Sequence, residues 1–166
     1  CLELRLHVGA SLFLLEGDAV TREDPLPPRQ RAAPFAVGLE EVLCGGRLIF
    51  GVGVGGENPK EFEACGIPHN ERGARVTEGI EVVRTLWRDT PASFKGRFTQ
   101  FEGVSIDPQP VQKPGPPIWV GGRSDAALAR AGRQGDGWVS YVVQPERYAQ
   151  SLGKIRQAAE QAGRRL

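Results

Sequence analysis

The run PPIWVGGRSDAALARAGRQGDGW, Pro116 to Trp138, holds one complete unit of an α/β fold. Ile118-Trp-Val120 is apolar and of strand length, and Gly121-Gly122 ends it. Ser124 has the side chain of a helix N-cap, and Asp125 puts a negative charge in the first turn, where the helix dipole favours it. An alanine-rich helix follows to about Arg133. Gly135-Asp136-Gly137 then turns into a second strand at Trp138. Strand, helix and strand in this order predict parallel strands joined by a right-handed crossover.

The same alternation extends outward in both directions. The second strand is expected over Trp138 to Val143. Pro145 then starts a last helix with Tyr148, Leu152, Ile155, Ala159 and Ala162 on one face. Upstream, Pro108 to Pro117 reads as extended chain, and Ser93 to Ile106, aromatic and punctuated by glycine, as a hairpin. Asn70 is placed to cap a helix over Glu71 to Arg88, whose Val76, Ile80, Val83 and Trp87 form one buried stripe. A short helix is expected from Pro59 to Cys65, ended by Gly66. A buried strand, Arg47 to Val52, leads into the turn Gly53 to Gly56. Leu39 to Cys44 reads as the end of a helix stopped by Gly45-Gly46, and Leu2 to Leu15 as a further strand. Glu16 to Gly38 fits neither period. It holds four prolines and seven charged residues, and structureless loops beyond ~12–15 residues are uncommon in compact domains.

Composition excludes several classes. The chain has 166 residues, 40% of them hydrophobic, with 21 basic and 20 acidic side chains and a net charge of +1. One ordinary domain is expected, neither an acidic disordered chain nor a basic nucleic-acid binder. No run reaches the ~18 apolar residues of a membrane span, so neither a membrane nor a nucleic acid is an expected partner. Glu3, Arg5 and His7 stand where a secretory signal has its apolar core. The three cysteines suggest no disulfide framework, which favours a reducing cytoplasm, and Cys44 and Cys65 are expected to fill core space. With no C-x-x-C and with His7 far from His69, no metal site is expected. The sequence contains no Met and begins at Cys1, which reads as a processed, trimmed or partial product.

In parallel α/β sheets, ligands bind at the carboxyl ends of the strands. Three predicted strands end in small residues: Gly9-Ala10-Ser11, Gly53 to Gly56, and Gly121-Gly122-Arg123-Ser124. The last is the sharpest candidate. Two glycines expose backbone N–H groups, Ser124 offers a hydroxyl at a helix N-terminus and Arg123 a charge, a set that could hold a phosphate. The plainer alternative is an ordinary βα turn with a capping serine. Gly51, Gly53 and Gly56 match G-x-G-x-x-G, but no helix opens at the third glycine as a dinucleotide fold requires. Asp136 reads as a turn former, Trp119 and Trp138 as core, and His69 as a surface or capping residue. No spacing yields a catalytic triad or carboxylate pair, so no catalytic residue is assigned.

Taken in order, these pieces resemble one family. Gly45-Gly-Arg-Leu-Ile-Phe-Gly-Val-Gly-Val-Gly55, Glu71-Arg-Gly-Ala-Arg75, Pro108-Gln-Pro-Val-Gln-Lys-Pro114, Pro116 to Gly122 and Gly135-Asp-Gly-Trp138 are similar to the luciferase-like flavin- or deazaflavin-dependent oxidoreductases. The resemblance implies a (β/α)8 TIM barrel. It also implies FMN or a 5-deazaflavin (coenzyme F-420) at the strand ends, with cofactor contacts at Gly53, Gly55, Gly121, Gly122, Arg123 and Ser124. The implied reaction is hydride transfer or oxygen-dependent monooxygenation of a small-molecule substrate. A full barrel takes roughly 250 residues, so residues 1–166 are expected to form a single partial barrel of about four parallel strands with flanking helices. Its open strand edges favour self-pairing, and a homodimer completing the sheet is the matching expectation. The competing readings are a non-catalytic truncated barrel with at most flavin or phosphate binding, and a different phosphate-binding barrel enzyme. The latter would need a Lys or Glu at a strand end, and Lys95, Lys113 and Lys154 fall in predicted loops or helices. Glu16 to Gly38 departs from the family pattern, as a shifted reading frame or as a divergent loop. A shifted frame predicts that resequencing the source DNA finds an insertion or deletion there; an unaltered frame leaves the divergent loop.

Overall fold

The structure, a computed structural model, describes residues 37–56 and 58–165. The expected strand Leu2 to Leu15 and nearly all of the irregular segment Glu16 to Gly38 lie outside them. Val37 and Gly38 are helical, two residues ahead of the expected Leu39.

In chain order the elements are α1 (37–43), β1 (Phe50–Val52), α2 (Pro59–Ala64), a 3-10 turn (His69–Glu71), α3 (Arg72–Arg88), β2 (Ala92–Lys95), β3 (Gln100–Val104), β4 (Ile118–Gly121), α4 (Asp125–Gln134), β5 (Gly137–Val139) and α5 (Pro145–Gln161). They form two compact units, and the chain passes from one to the other within α3.

The first unit, residues 49–77 and 117–165, carries a three-stranded parallel sheet in the order β1-β4-β5. Phe50, Val52, Ile118 and Val120 bury one face of it. The strands are shorter than expected. β1 begins at Phe50, which leaves Arg47 to Ile49 outside it, and β5 ends at Val139 rather than Val143. Past that end, Val142 has φ +48° and is almost fully exposed, so the backbone has left the extended region. Trp119, expected in the core, is 38% exposed. It alternates with Ile118 and Val120 and therefore points to the opposite face. There its ring lies across Gly137, where an added Cβ would come within 2.5 Å of the indole nitrogen.

Helix α4 packs on α5 through small residues. Ala127, Leu128 and Ala131 face inward from α4, and Ser151, Ile155, Ala158 and Ala159 from α5. Of the face expected on α5, Ile155 and Ala159 are buried, whereas Tyr148 and Ala162 are exposed. The two backbones meet at Gly132, where a Cβ would stand 2.3 Å from the Ile155 carbonyl oxygen. Arg164 ties this end together by donating to the Gly132 and Gly135 carbonyls at 2.9 and 2.8 Å and to Asp136 Oδ1 at 3.3 Å. Asp136 Oδ2 accepts the Ile118 N–H at 2.9 Å, so this aspartate is structural.

The second unit, residues 37–48 and 78–116, is built on the expected hairpin, β2 antiparallel to β3. Val82, Leu86, Ala92, Phe101 and Val104 form its core, with Phe94 and Ile106 packed against it. Glu78 accepts the N–H groups of Arg97 at 2.7 Å and Phe98 at 2.9 Å, anchoring the hairpin turn. Glu41 is fully buried and accepts from the Leu48 N–H, the Gln112 N–H and the Gln112 side-chain amide. Cys44 and Cys65 are half-buried, not core residues as expected. The stripe Val76, Ile80, Val83 and Trp87 of α3 is buried as expected, but α3 opens at Arg72 after a 3-10 turn, and Asn70 does not cap it. No helix among the described residues is long and apolar enough to cross a membrane.

The Gly132 contact makes a paired prediction. Ala is normally favoured over Gly inside a helix by about 1 kcal/mol. Gly153→Ala, on α5 with nothing within 4 Å of the new Cβ, should follow that rule and raise stability. Gly132→Ala should reverse it, with a loss of about 1–3 kcal/mol from overpacking. Urea denaturation of both variants checks the sign.

Candidate functional site

Beyond β1 the chain runs through Gly53-Val-Gly-Gly56. Gly55 has φ +84°, and a Cβ there would lie 2.9 Å from the buried Phe62 ring. The glycine is thus set by the close approach of α2. Asn58 caps α2, its Oδ1 accepting the Lys60 N–H at 3.1 Å. The Phe62 ring also organises the start of α3. His69 meets it edge-on at 5.0 Å, and the Arg72 guanidinium sits 5.6 Å from its centroid. Arg72 Nη1 donates to the Gly56 carbonyl at 3.0 Å and to His69 Nε2. The turn after β1 is therefore fastened to the first residue of α3.

The turn after β4 comes from the opposite direction. Gly122 has φ +129°, and a Cβ there would meet Ala127 Cβ at 2.8 Å. Its N–H, expected to be accessible, donates to the Val139 carbonyl at 3.3 Å, and its carbonyl accepts Trp138 Nε1–H at 2.8 Å. Ser124 caps α4, as its residue type predicts, accepting the Ala127 N–H at 3.3 Å.

Between these turns lies a cavity of about 300 Å³ lined by Val54, His69, Asn70, Arg72, Gly73, Ser124, Ala126 and Arg130. Among the described residues the lining contains two arginines, a histidine, a hydroxyl and the first turns of two helices, and no carboxylate. Arg130 is the most confined of these, only 8% exposed. Its Nε donates to Thr77 Oγ1 and its Nη2 to the Gly73 carbonyl, both at 3.0 Å. Burial pushes its pKa below the ordinary arginine value, because desolvation disfavours the charged form.

The structure distributes the six sequence-predicted cofactor residues unevenly. Ser124 lines the cavity, and Val54, between Gly53 and Gly55, lines it in place of either glycine. Gly121 ends β4, where a Cβ would stand 3.5 Å from the Val52 carbonyl oxygen. Arg123 turns elsewhere. Its guanidinium sits 4.6 Å from the Tyr141 ring centroid and donates to the Val142 carbonyl at 3.4 Å. It lines a second cavity, of about 410 Å³, together with Asp125, Glu146, Arg147 and Lys154. Sequence reasoning missed Arg72, Gly73 and Arg130. The signal for Arg130 was present, since it falls three residues after Ala127 and shares the buried face of an alanine-rich helix. No group of three or more His, Cys, Asp or Glu that could hold a metal ion occurs among the described residues.

The family model for luciferase-like monooxygenases matches residues 31–166. An uncharacterized protein of Mycobacterium tuberculosis strain H37Rv is 35% identical over 161 residues, 97% of this chain and 54% of its own length. The chain thus spans about half the length of the curated relatives it matches. Among solved structures, monooxygenase RslO1 from Streptomyces bottropensis superposes with a TM-score of 0.68 at 30% identity, over 82% of this chain and 44% of that one. The coenzyme F-420 dependent tetrahydromethanopterin reductase from Methanopyrus kandleri gives a TM-score of 0.64 at 21% identity, over 80% and 43%, a likeness of fold.

Ser124 and Asp125 should differ in their worth to the fold. Ser124→Ala removes the α4 cap and should cost about 0.5–2 kcal/mol. Asp125 forms an exposed pair with Lys154, and Asp125→Ala should cost about 0–1 kcal/mol. Chemical denaturation followed by circular dichroism separates the two.

Proposed function

The chain belongs to the luciferase-like monooxygenase family, and from that membership we propose that it is an oxidoreductase chain binding FMN or a 5-deazaflavin (coenzyme F-420) by its phosphate-bearing ribityl arm. The reaction class is hydride transfer or oxygen-dependent monooxygenation of a small organic substrate. The observation that carries the reading is the 300 Å³ cavity at the carboxyl ends of β1 and β4. Its donors suit a phosphate: hydroxyl, guanidinium groups and helix N-termini, with no acid among the described lining residues. The larger cavity suits a dianion less well, because Asp125 and Glu146 are part of its wall.

When bound, the flavin ring supplies the redox chemistry. The chain's own groups bind and orient. Ser124 Oγ is held by the Ala127 N–H, which leaves its hydroxyl proton available to an anion in the cavity. Arg72 is fixed by Gly56 and His69, so its charge reaches the cavity from a set direction. Gly122 keeps the turn tight against α4, where a side chain would collide with Ala127.

The test is fluorescence titration of the purified chain with FMN and with the deazaflavin. Micromolar binding of one of them is expected, weakened about tenfold in Ser124→Ala by loss of one hydrogen bond and more severely in Gly122→Val. Binding of neither by a demonstrably folded sample overturns the reading. Binding without turnover, in the presence of substrates of the family, favours the non-catalytic alternative.

A further inference from the structure

We propose that Arg130 is the anion-recognition residue of the Ser124 cavity and that a phosphate dianion is its counter-ion; this rests on the cofactor-arm reading above and assigns its charge selectivity to one residue.

A guanidinium removed from water is costly unless it is paired. Arg130 is more than nine-tenths buried, and its protein partners are neutral: a threonine hydroxyl and a backbone carbonyl. These bonds use two of its five N–H groups. The remaining three belong to a side chain that lines a cavity to which the described residues contribute no carboxylate. The charge is therefore solvated in part by the protein, held rigidly and left without an acid. That is the condition in which a planar fork recognises a phosphate bidentately.

The surroundings keep the fork in place. Thr77 and Gly73 both lie on α3, so the two bonds fix the guanidinium against one helix while its own backbone belongs to another. Gly73 is a glycine inside a helix, where Ala would ordinarily be preferred. The space for a Cβ is already taken, since it would stand 3.2 Å from Arg130 Nη2. Arg123, the basic residue nearest the turn in sequence, is turned toward Tyr141 and does not line this cavity.

The experiment compares FMN with riboflavin, which differ by the phosphate, and adds inorganic phosphate as a flavin-free probe. The wild-type chain should bind FMN at least tenfold more tightly than riboflavin. Arg130→Met should abolish that preference while riboflavin affinity stays unchanged, and Arg130→Lys should restore only part of it. Inorganic phosphate should raise the Tm of the wild type and of the exposed-site control Arg133→Met, but not of Arg130→Met. A full FMN preference in Arg130→Met, or an equal phosphate-induced rise in Tm with and without Arg130, overturns the proposal. If neither flavin binds, the FMN branch of the cofactor reading fails and the phosphate melts decide alone: an Arg130-dependent rise upholds the proposal, and no rise overturns it. If Arg130→Met does not fold, Gly73→Ala takes its place. It shifts the guanidinium by a few tenths of an ångström and should weaken FMN preference; an unaltered preference overturns the proposal.

Discussion

The approach of α4 to α5 at Gly132 is the constraint from which the parallel unit takes its form. No atom beyond hydrogen fits on that Cα, because the Ile155 carbonyl, Ala158 and Ala159 already fill the space. The helix is held there by backbone contact, with Arg164 closing over its last carbonyls. Once α4 is fixed at that end, its N-terminus is fixed at the other. Ser124 then stands at the end of β4, whose Val120 pairs with Val52 of β1. The candidate site is a consequence of helix placement, and helix placement is a consequence of small residues.

This way of holding a helix suits a binding site. Leu128 is the one large apolar side chain that α4 buries and Ala127 and Ala131 add little area, so side-chain packing alone does not set the orientation of α4. Close backbone approach and directional hydrogen bonds set it, and both tolerate little displacement. Arg130 leaves the same helix on its buried face. Its reach to Thr77 and Gly73 transfers that precision to the start of α3.

Much of this was legible in the sequence, for local reasons. Ser124 as a cap, the buried stripe of α3, the hairpin and the parallel order each rest on residue type or period, which act within a few positions. Strand ends were not legible. Ile49 and Tyr141 extend their strands on paper, yet the pairing of β1 begins at Phe50 and that of β5 ends at Val139. Trp119 reads as core by composition and lies outside it because β4 alternates. Gly55 and Gly122 read as open turns offering backbone to a ligand. They are glycines because Phe62 and Ala127 crowd them, contacts that no local pattern encodes.

The hardest residues to read were the two buried charges among the described residues, and comparing them shows how structure separates fold from function. Glu41 and Arg130 are both charged side chains withdrawn from water. The Glu41 carboxylate has about four acceptor positions, and three are filled by the Leu48 N–H and the two Gln112 donors. Neither cavity reaches it. Its hydrogen-bond capacity is nearly exhausted inside the protein, and it serves as a staple. Arg130 stops short of that closure. Two donors are used, three remain, and the space beside them is a cavity with no acid among its described lining residues. A buried charge whose valence is completed by its own chain belongs to the fold; one whose valence is left incomplete next to a cavity calls for a ligand of the opposite sign.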